Sequence, residues 1–206
     1  MPQIALTTFL KLCLLSEKRK KSEYAKYLGP GGGYDYYWSL KSCIADITFG
    51  EKTYDYCVGH TLNPLKKAAE KAHNTAGLQA FVKWLEGRPR DFFDPPEGVY
   101  ASPKGHLKIK LRPEFGRISE SQRSVVAIWN TNEPALTKFV AVVGIMMMSE
   151  KLQTGDFKDC KFTVLDLRKP FWYRSELPQP HVARFLAQEL EWVDNFFQEN
   201  VSKKAA

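Results

Sequence analysis

The 206-residue chain is predicted to be an α/β or α+β protein. Three observations point there: apolar residues recur at helical spacing through the first 88 positions, the period shifts to two near Leu107, and a nearly unbroken apolar run from Ala135 to Met148 follows a strand-like segment. N-terminal helices followed by a mixed sheet of about four strands with flanking helices is the architecture this order implies. A hydrophobic content of 44% over this length is enough for a sizeable core.

From Ile4 to Leu28, Leu6, Phe9, Leu10, Cys13 and Leu14 share a helical face before the charged run Ser16 to Lys21. One helix, solvated in its second half, is expected. Gly29 to Gly33, with Pro30 among the glycines, ends it in a loop. A second helix runs from the aromatic segment Tyr34 to Trp38 through Leu40, Ile44 and Ile47 to about Gly50. Asn63 and Pro64 then open a third, a capping side chain followed by a proline in the first turn. It continues through Phe81 and Leu85 to Gly87, with a break at Asn74 to Gly77. The proline-rich stretch Arg88 to Pro96 suits neither regular structure and marks a boundary between a helical part, residues 1–88, and a mixed core, residues 89–206, the two packing together as one domain or standing apart.

Beyond it, Leu107, Ile109 and Leu111 alternate with Lys108, Lys110 and Arg112, giving a strand with an apolar and a basic face. Val125 to Trp129 and Phe162 to Leu167 are further strands, and Val99 to Ala101 is a short first one. In the polar stretch Trp129 to Glu133, Thr131 and Asn132 are expected to cap the apolar helix that follows, with Glu133 and Pro134 in its first turn. Gly144 permits that helix a close approach to its neighbours, and Met146 to Met148 fill irregular space. A last helix after Pro180 places Val182, Phe185, Leu186, Val193 and Phe197 on one face.

The order α-β-β-β-α-β-α, counted from the helix ending near Gly87, resembles the core of the restriction-endonuclease-like, or PD-(D/E)xK, superfamily, and residues 99–195 are similar to uncharacterised bacterial proteins with an RPD-like motif on one strand. The residues carrying the resemblance are Arg112-Pro113-Glu114, the strand Val125 to Asn130, and Val164-Leu165-Asp166. An active member implies two metal-holding carboxylates and a lysine in an acid-x-Lys arrangement. With Glu114 as first acid, the next strand reads Val-Val-Ala-Ile-Trp-Asn. With Glu97, it offers only His106-Leu-Lys108 or Lys108-Ile-Lys110. The metal set is incomplete in both registers, so the fold is expected to serve something other than cleavage.

The formal charge of +7 accommodates an anionic partner, and the first 88 residues carry most of the excess, 13 Lys/Arg against 8 acids. Lys108, Lys110, Arg112, Arg117 and Arg123 form the candidate nucleic-acid contact, for DNA or RNA, with His106 beside them. The same lysines also solvate a sheet face and discourage edge pairing. Lys18 to Lys21 offer a second phosphate contact or simply a solvated helix end. Tyr34, Tyr36, Tyr37 and Trp38 offer a stacking platform for bases or for a partner's apolar surface, or pack the next helix. Cys43, Cys57, His60 and His73 supply zinc-type ligands, but only Cys57 and His60 are locally spaced for a metal. Asp166 and Arg168 form a pair at a strand end.

A non-catalytic nucleic-acid-binding protein is the leading expectation. A protein-interaction or structural module, docking a protein partner or a second copy on the helical part and the aromatic loop, is the alternative, and a metal-dependent nuclease the third. Neither cofactor nor metal is expected. No basic residue precedes the N-terminal apolar run, four cysteines lack paired spacing, and the longest apolar run is interrupted by Lys138 and falls short of the ~20 residues of a membrane span. A cytoplasmic protein with reduced thiols and no membrane contact is the expectation.

Overall fold

The computed structural model describes residues 1–29, 34–174 and 180–205, with side chains to residue 200. The chain is mixed α/β, built on two sheets. The smaller has the order β1-β4-β3, where β1 is Gln3–Ala5, β3 Gly98–Ala101 and β4 Lys108–Leu111. The larger has the order β2-β5-β6-β7-β8, comprising Asp91–Phe93, Phe115–Ser119, Gln122–Trp129, Lys161–Asp166 and Phe171–Arg174. In it only β6 and β7 run parallel, and helix α6, Lys138–Leu152, carries the chain from one to the other.

Alternation along β6 divides the interior in two. Val125, Ala127 and Trp129 enter a core with α6, with α1 (Leu6–Cys13) and with α7 (Pro180–Ala205). Val126 and Ile128 enter a second core with α3 (Trp38–Thr48) and α5 (Ala68–Leu85). Both sheet faces are covered, and the central strands accordingly read as continuous apolar runs. Each core draws residues from both sides of position 88, so the proline-rich stretch does not separate two hydrophobic interiors. Part of that stretch is the edge strand β2, whose Phe93 ring lies against Gly116 of β5.

Several expected elements differ. The single N-terminal helix is a strand, β1, followed by α1 and α2 (Glu17–Ala25), because Ser16 takes an extended conformation and restarts the helix. The glycine loop at 30–33 lies outside the described residues. Asn63 and Pro64 follow a one-turn helix, α4 (Tyr54–Cys57), and a π-helical turn, and α5 begins only at Ala68. It runs unbroken through Asn74 to Gly77. Neither Thr131 nor Asn132 caps α6. Leu136 enters the core ahead of the helix, and Thr137, with extended φ and ψ, accepts the Val140 amide through its side chain.

Candidate interaction face

The strand register distributes the five candidate basic residues over separate surfaces. Lys108 is exposed and Lys110 half-buried on the same face of β4, between the buried Ile109 and Leu111. Arg112, just beyond, pairs with Glu97 at 2.9 Å in solvent. Arg117 is 3% exposed. Its guanidinium stacks near Trp84 and Trp172, and its Nε donates to the Pro89 carbonyl at 3.2 Å. Burial, then Arg88 and Arg174, push its pKa down from the usual guanidinium value. Arg123 belongs to the other face, since Arg117 pairs with Ser124 and Ile118 with Arg123. It lies over Phe93 and Phe157 and donates to the Asp156 carbonyl at 2.8 Å. Lys108 and Lys110 are the two left side by side. Lys18, Arg19 and Lys21 are exposed on α2, whereas Lys20 is buried against Glu189 of α7 at 2.5 Å.

The aromatic segment Tyr34 to Trp38 is held by α5. Asn74, fully buried, accepts the Leu40 amide at 3.0 Å and donates to the carbonyls of Tyr36 and Glu70. The Tyr34 hydroxyl donates to the Glu70 carboxylate at 2.6 Å, and the Lys67 ammonium sits 4.4 Å above the Tyr34 ring. The Tyr36 hydroxyl meets His73 Nδ1 at 3.0 Å. With the backbone so fixed, Tyr34 remains 67% and Trp38 62% exposed. The braced segment therefore holds two large aromatic surfaces in solvent.

Next to this segment is the carboxyl edge of the parallel pair β6 and β7. Arg168, following β7, donates through Nη2 to Asn132 Oδ1 at 2.7 Å, bridging the two strand-end loops. The Trp129 indole donates to the Thr131 carbonyl. Both the Asn132 backbone and Arg168 act on the Tyr37 hydroxyl, although burial is the larger influence and raises its pKa. The polar stretch Trp129 to Glu133 is thus a strand-end loop tied to the aromatic segment. Phe171, 55% exposed, lies at the same edge, paired in register with Asp166.

Beneath this edge lie the two acids that the nuclease resemblance singles out. The Glu114 side chain is 7% exposed. Its Oε2 accepts the Ile128 amide at 2.7 Å, extending the ladder by one bond, and its Oε1 is 3.9 Å from Lys41 Nζ. Burial pushes its pKa up to about 7, while Lys41 and the amide pull the other way. Lys41 also reaches Asp35 at 3.1 Å. Asp166 is 1% exposed, accepts the Arg168 amide at 2.8 Å, and is likewise raised by burial. Glu97 is on the surface with Arg112. No three His, Cys, Asp or Glu side chains among the described residues are grouped to share a metal ion. Of the four zinc-type candidates, Cys43 and Cys57 meet in the core, His60 stacks on Tyr56, and His73 joins Tyr36.

The residues that hold the aromatic segment are Glu70, His73 and Asn74, of which the sequence reading singles out His73 only as a zinc-type ligand and Asn74 only as part of a helix break. An uncharged polar residue within an apolar helical pattern is the signal the sequence offers at Asn74. No helix among the described residues is long and apolar enough to cross a membrane. No protein-family model matches the chain, and no curated protein matches its sequence.

Proposed function

We propose that the chain is a protein-recognition module whose partner docks on the braced aromatic segment Tyr34 to Trp38 and the adjoining strand-end loops. The observation that carries this is the exposure of Tyr34 and Trp38 on a backbone fixed by the buried Asn74. Ordered aromatics cost little entropy on binding and dominate interface energetics. Around them Lys67, Arg168 and Lys169 have no ion-pair partner among the described residues. A partner surface with acidic groups around an apolar pocket suits that arrangement. The reading requires no chemistry of Glu114 or Asp166, whose carboxylates are engaged by backbone amides.

Nucleic-acid binding through Lys108 and Lys110 is a second reading, favoured by their adjacency on one face of β4. Its contact is narrower than the five-residue stripe, since Arg117 and Arg123 are occupied elsewhere.

Affinity purification of the intact chain from its source cells, compared with folded Trp38→Ala and Lys108→Glu/Lys110→Glu variants, separates the two. Recognition by the aromatic face predicts a co-purifying protein whose affinity falls roughly 30-fold with Trp38→Ala, the loss typical of a hot spot. The double lysine variant would retain it. A partner indifferent to Trp38→Ala, or salt-sensitive nucleic-acid binding lost only with the lysines, would overturn the first reading.

A further inference from the structure

The second core contains two thiols with no part in the interaction face. Cys43 lies on α3 and Cys57 closes α4, and both are fully buried. Cys43 Sγ donates to the Cys57 carbonyl at 3.9 Å, and Cys57 Sγ donates to the Cys43 carbonyl at 3.8 Å. Each sulfur thus lies within 3.9 Å of the other residue's backbone, and the two side chains share one small gap between α3 and α4. That is the approach a disulfide needs, and cysteines whose Cβ vectors diverge cannot make it.

We propose that Cys43 and Cys57 are a redox modification site, forming an intramolecular disulfide when the protein meets a small disulfide oxidant. While the core is closed, burial keeps both thiols protonated and inert, with Cys43 pushed up to about 12. Access comes through α4. It is a single turn continuing into a π-helical turn, and its N-terminus is held by Thr53 accepting the Tyr56 amide. Such an element opens at far lower cost than the whole fold. In the open state Cys57 loses its proton to water, and its thiolate attacks the oxidant, expelling one small thiolate and leaving a mixed disulfide. Cys43, similarly deprotonated, then attacks the Cys57 sulfur and expels the second. Two protein thiols lose two protons and two electrons, and the oxidant is reduced to two thiols.

The test is to incubate the intact protein with excess oxidised glutathione, quench in acid, unfold, alkylate and weigh. Two of the four thiols should be lost. A sample weighed before alkylation should be about 2 Da lighter than the reduced protein, as a disulfide requires. A linked peptide pair should contain Cys43 and Cys57, and dithiothreitol should restore all four thiols. The rate should rise in urea below the unfolding transition, because opening limits it. Cys57→Ser should abolish the mass loss, and Cys43→Ala should do the same should a buried serine prevent folding. Four thiols persisting in urea just below unfolding would overturn the proposal. So would a stable glutathione adduct on Cys57, or linkage through Cys13 or Cys160.

Discussion

Asn74 is cut off from solvent and uses its whole amide on backbone groups, one bond within its own helix, one on the aromatic segment at Tyr36 and one on α3 at Leu40. Asn74→Ala would leave the Leu40 amide and Tyr36 carbonyl without that partner, and a buried unsatisfied group costs about 1–3 kcal/mol. We expect a loss of about 3 kcal/mol in urea unfolding, together with weaker partner binding although no docking residue has changed. Glu114 makes a different demand, set by pH. Its folded pKa is about 7, above the ordinary 4.5 that it regains on unfolding. The folded state therefore binds the proton more tightly, so this contribution is fully present below the unfolded pKa and is lost as pH rises through the folded one. Stability should decline between about pH 4.5 and 7 by roughly 3 kcal/mol and level off above. Asp166, also raised, adds a loss of the same sign. Urea titrations across this range test the sign, and Glu114→Gln should flatten the Glu114 share of the slope.

Helix starts and close approaches are set at the scale of elements. Thr137 is the residue whose side chain caps α6, so Thr137→Ala should cost about 1 kcal/mol, while Thr131→Ala should leave the helix start unchanged. Thermal unfolding of the two variants distinguishes the cap the structure contains from the one expected from sequence. The expectation failed because Thr131, Asn132 and Glu133 satisfy cap statistics locally, whereas the helix start is decided by Leu136 entering the core one residue earlier. The apolar helix was legible from its long unbroken hydrophobic run, and the alternating strand at Lys108 to Leu111 and the long C-terminal helix from their periods. β2, β5 and β8 were not. They are three to five residues long, and β5 carries Gly116, which reads as a turn until the Phe93 ring is seen covering it. Gly77 raises the same issue in α5. Alanine there favours the helix by about 1 kcal/mol. Its Cβ would nevertheless fall 2.6 Å from the Asn130 amide and 2.8 Å from Leu40. Overpacking of that kind costs about 1–3 kcal/mol, so Gly77→Ala should destabilise the protein despite the better propensity.

For the whole molecule, closeness in the chain and closeness in space part company. Arg117 and Arg123 are six residues apart and face opposite sides of one sheet. Ile4 and Ile109, from opposite ends of the apparent two-part chain, are register partners. The same long-range pairing bears on independence of the halves. A fragment of residues 89–206 would lack β1 beside β4, α1 against α6, and the α3 and α5 cover over Val126, Ile128 and Leu165. The face of the larger sheet that α3 and α5 cover would then meet water, while α6 and α7 stay over the other, and a strand pair built for double burial has no polar face to offer it. That fragment should express as aggregate or collapse without sharp near-ultraviolet dichroism. Co-expression with residues 1–88 should rescue a soluble complex, because the apolar surfaces missing from one fragment are those that the other carries. A fragment of residues 89–206 that unfolds cooperatively by itself would show instead that the sheet and α6 suffice, and that the N-terminal helices are an addition to a finished core.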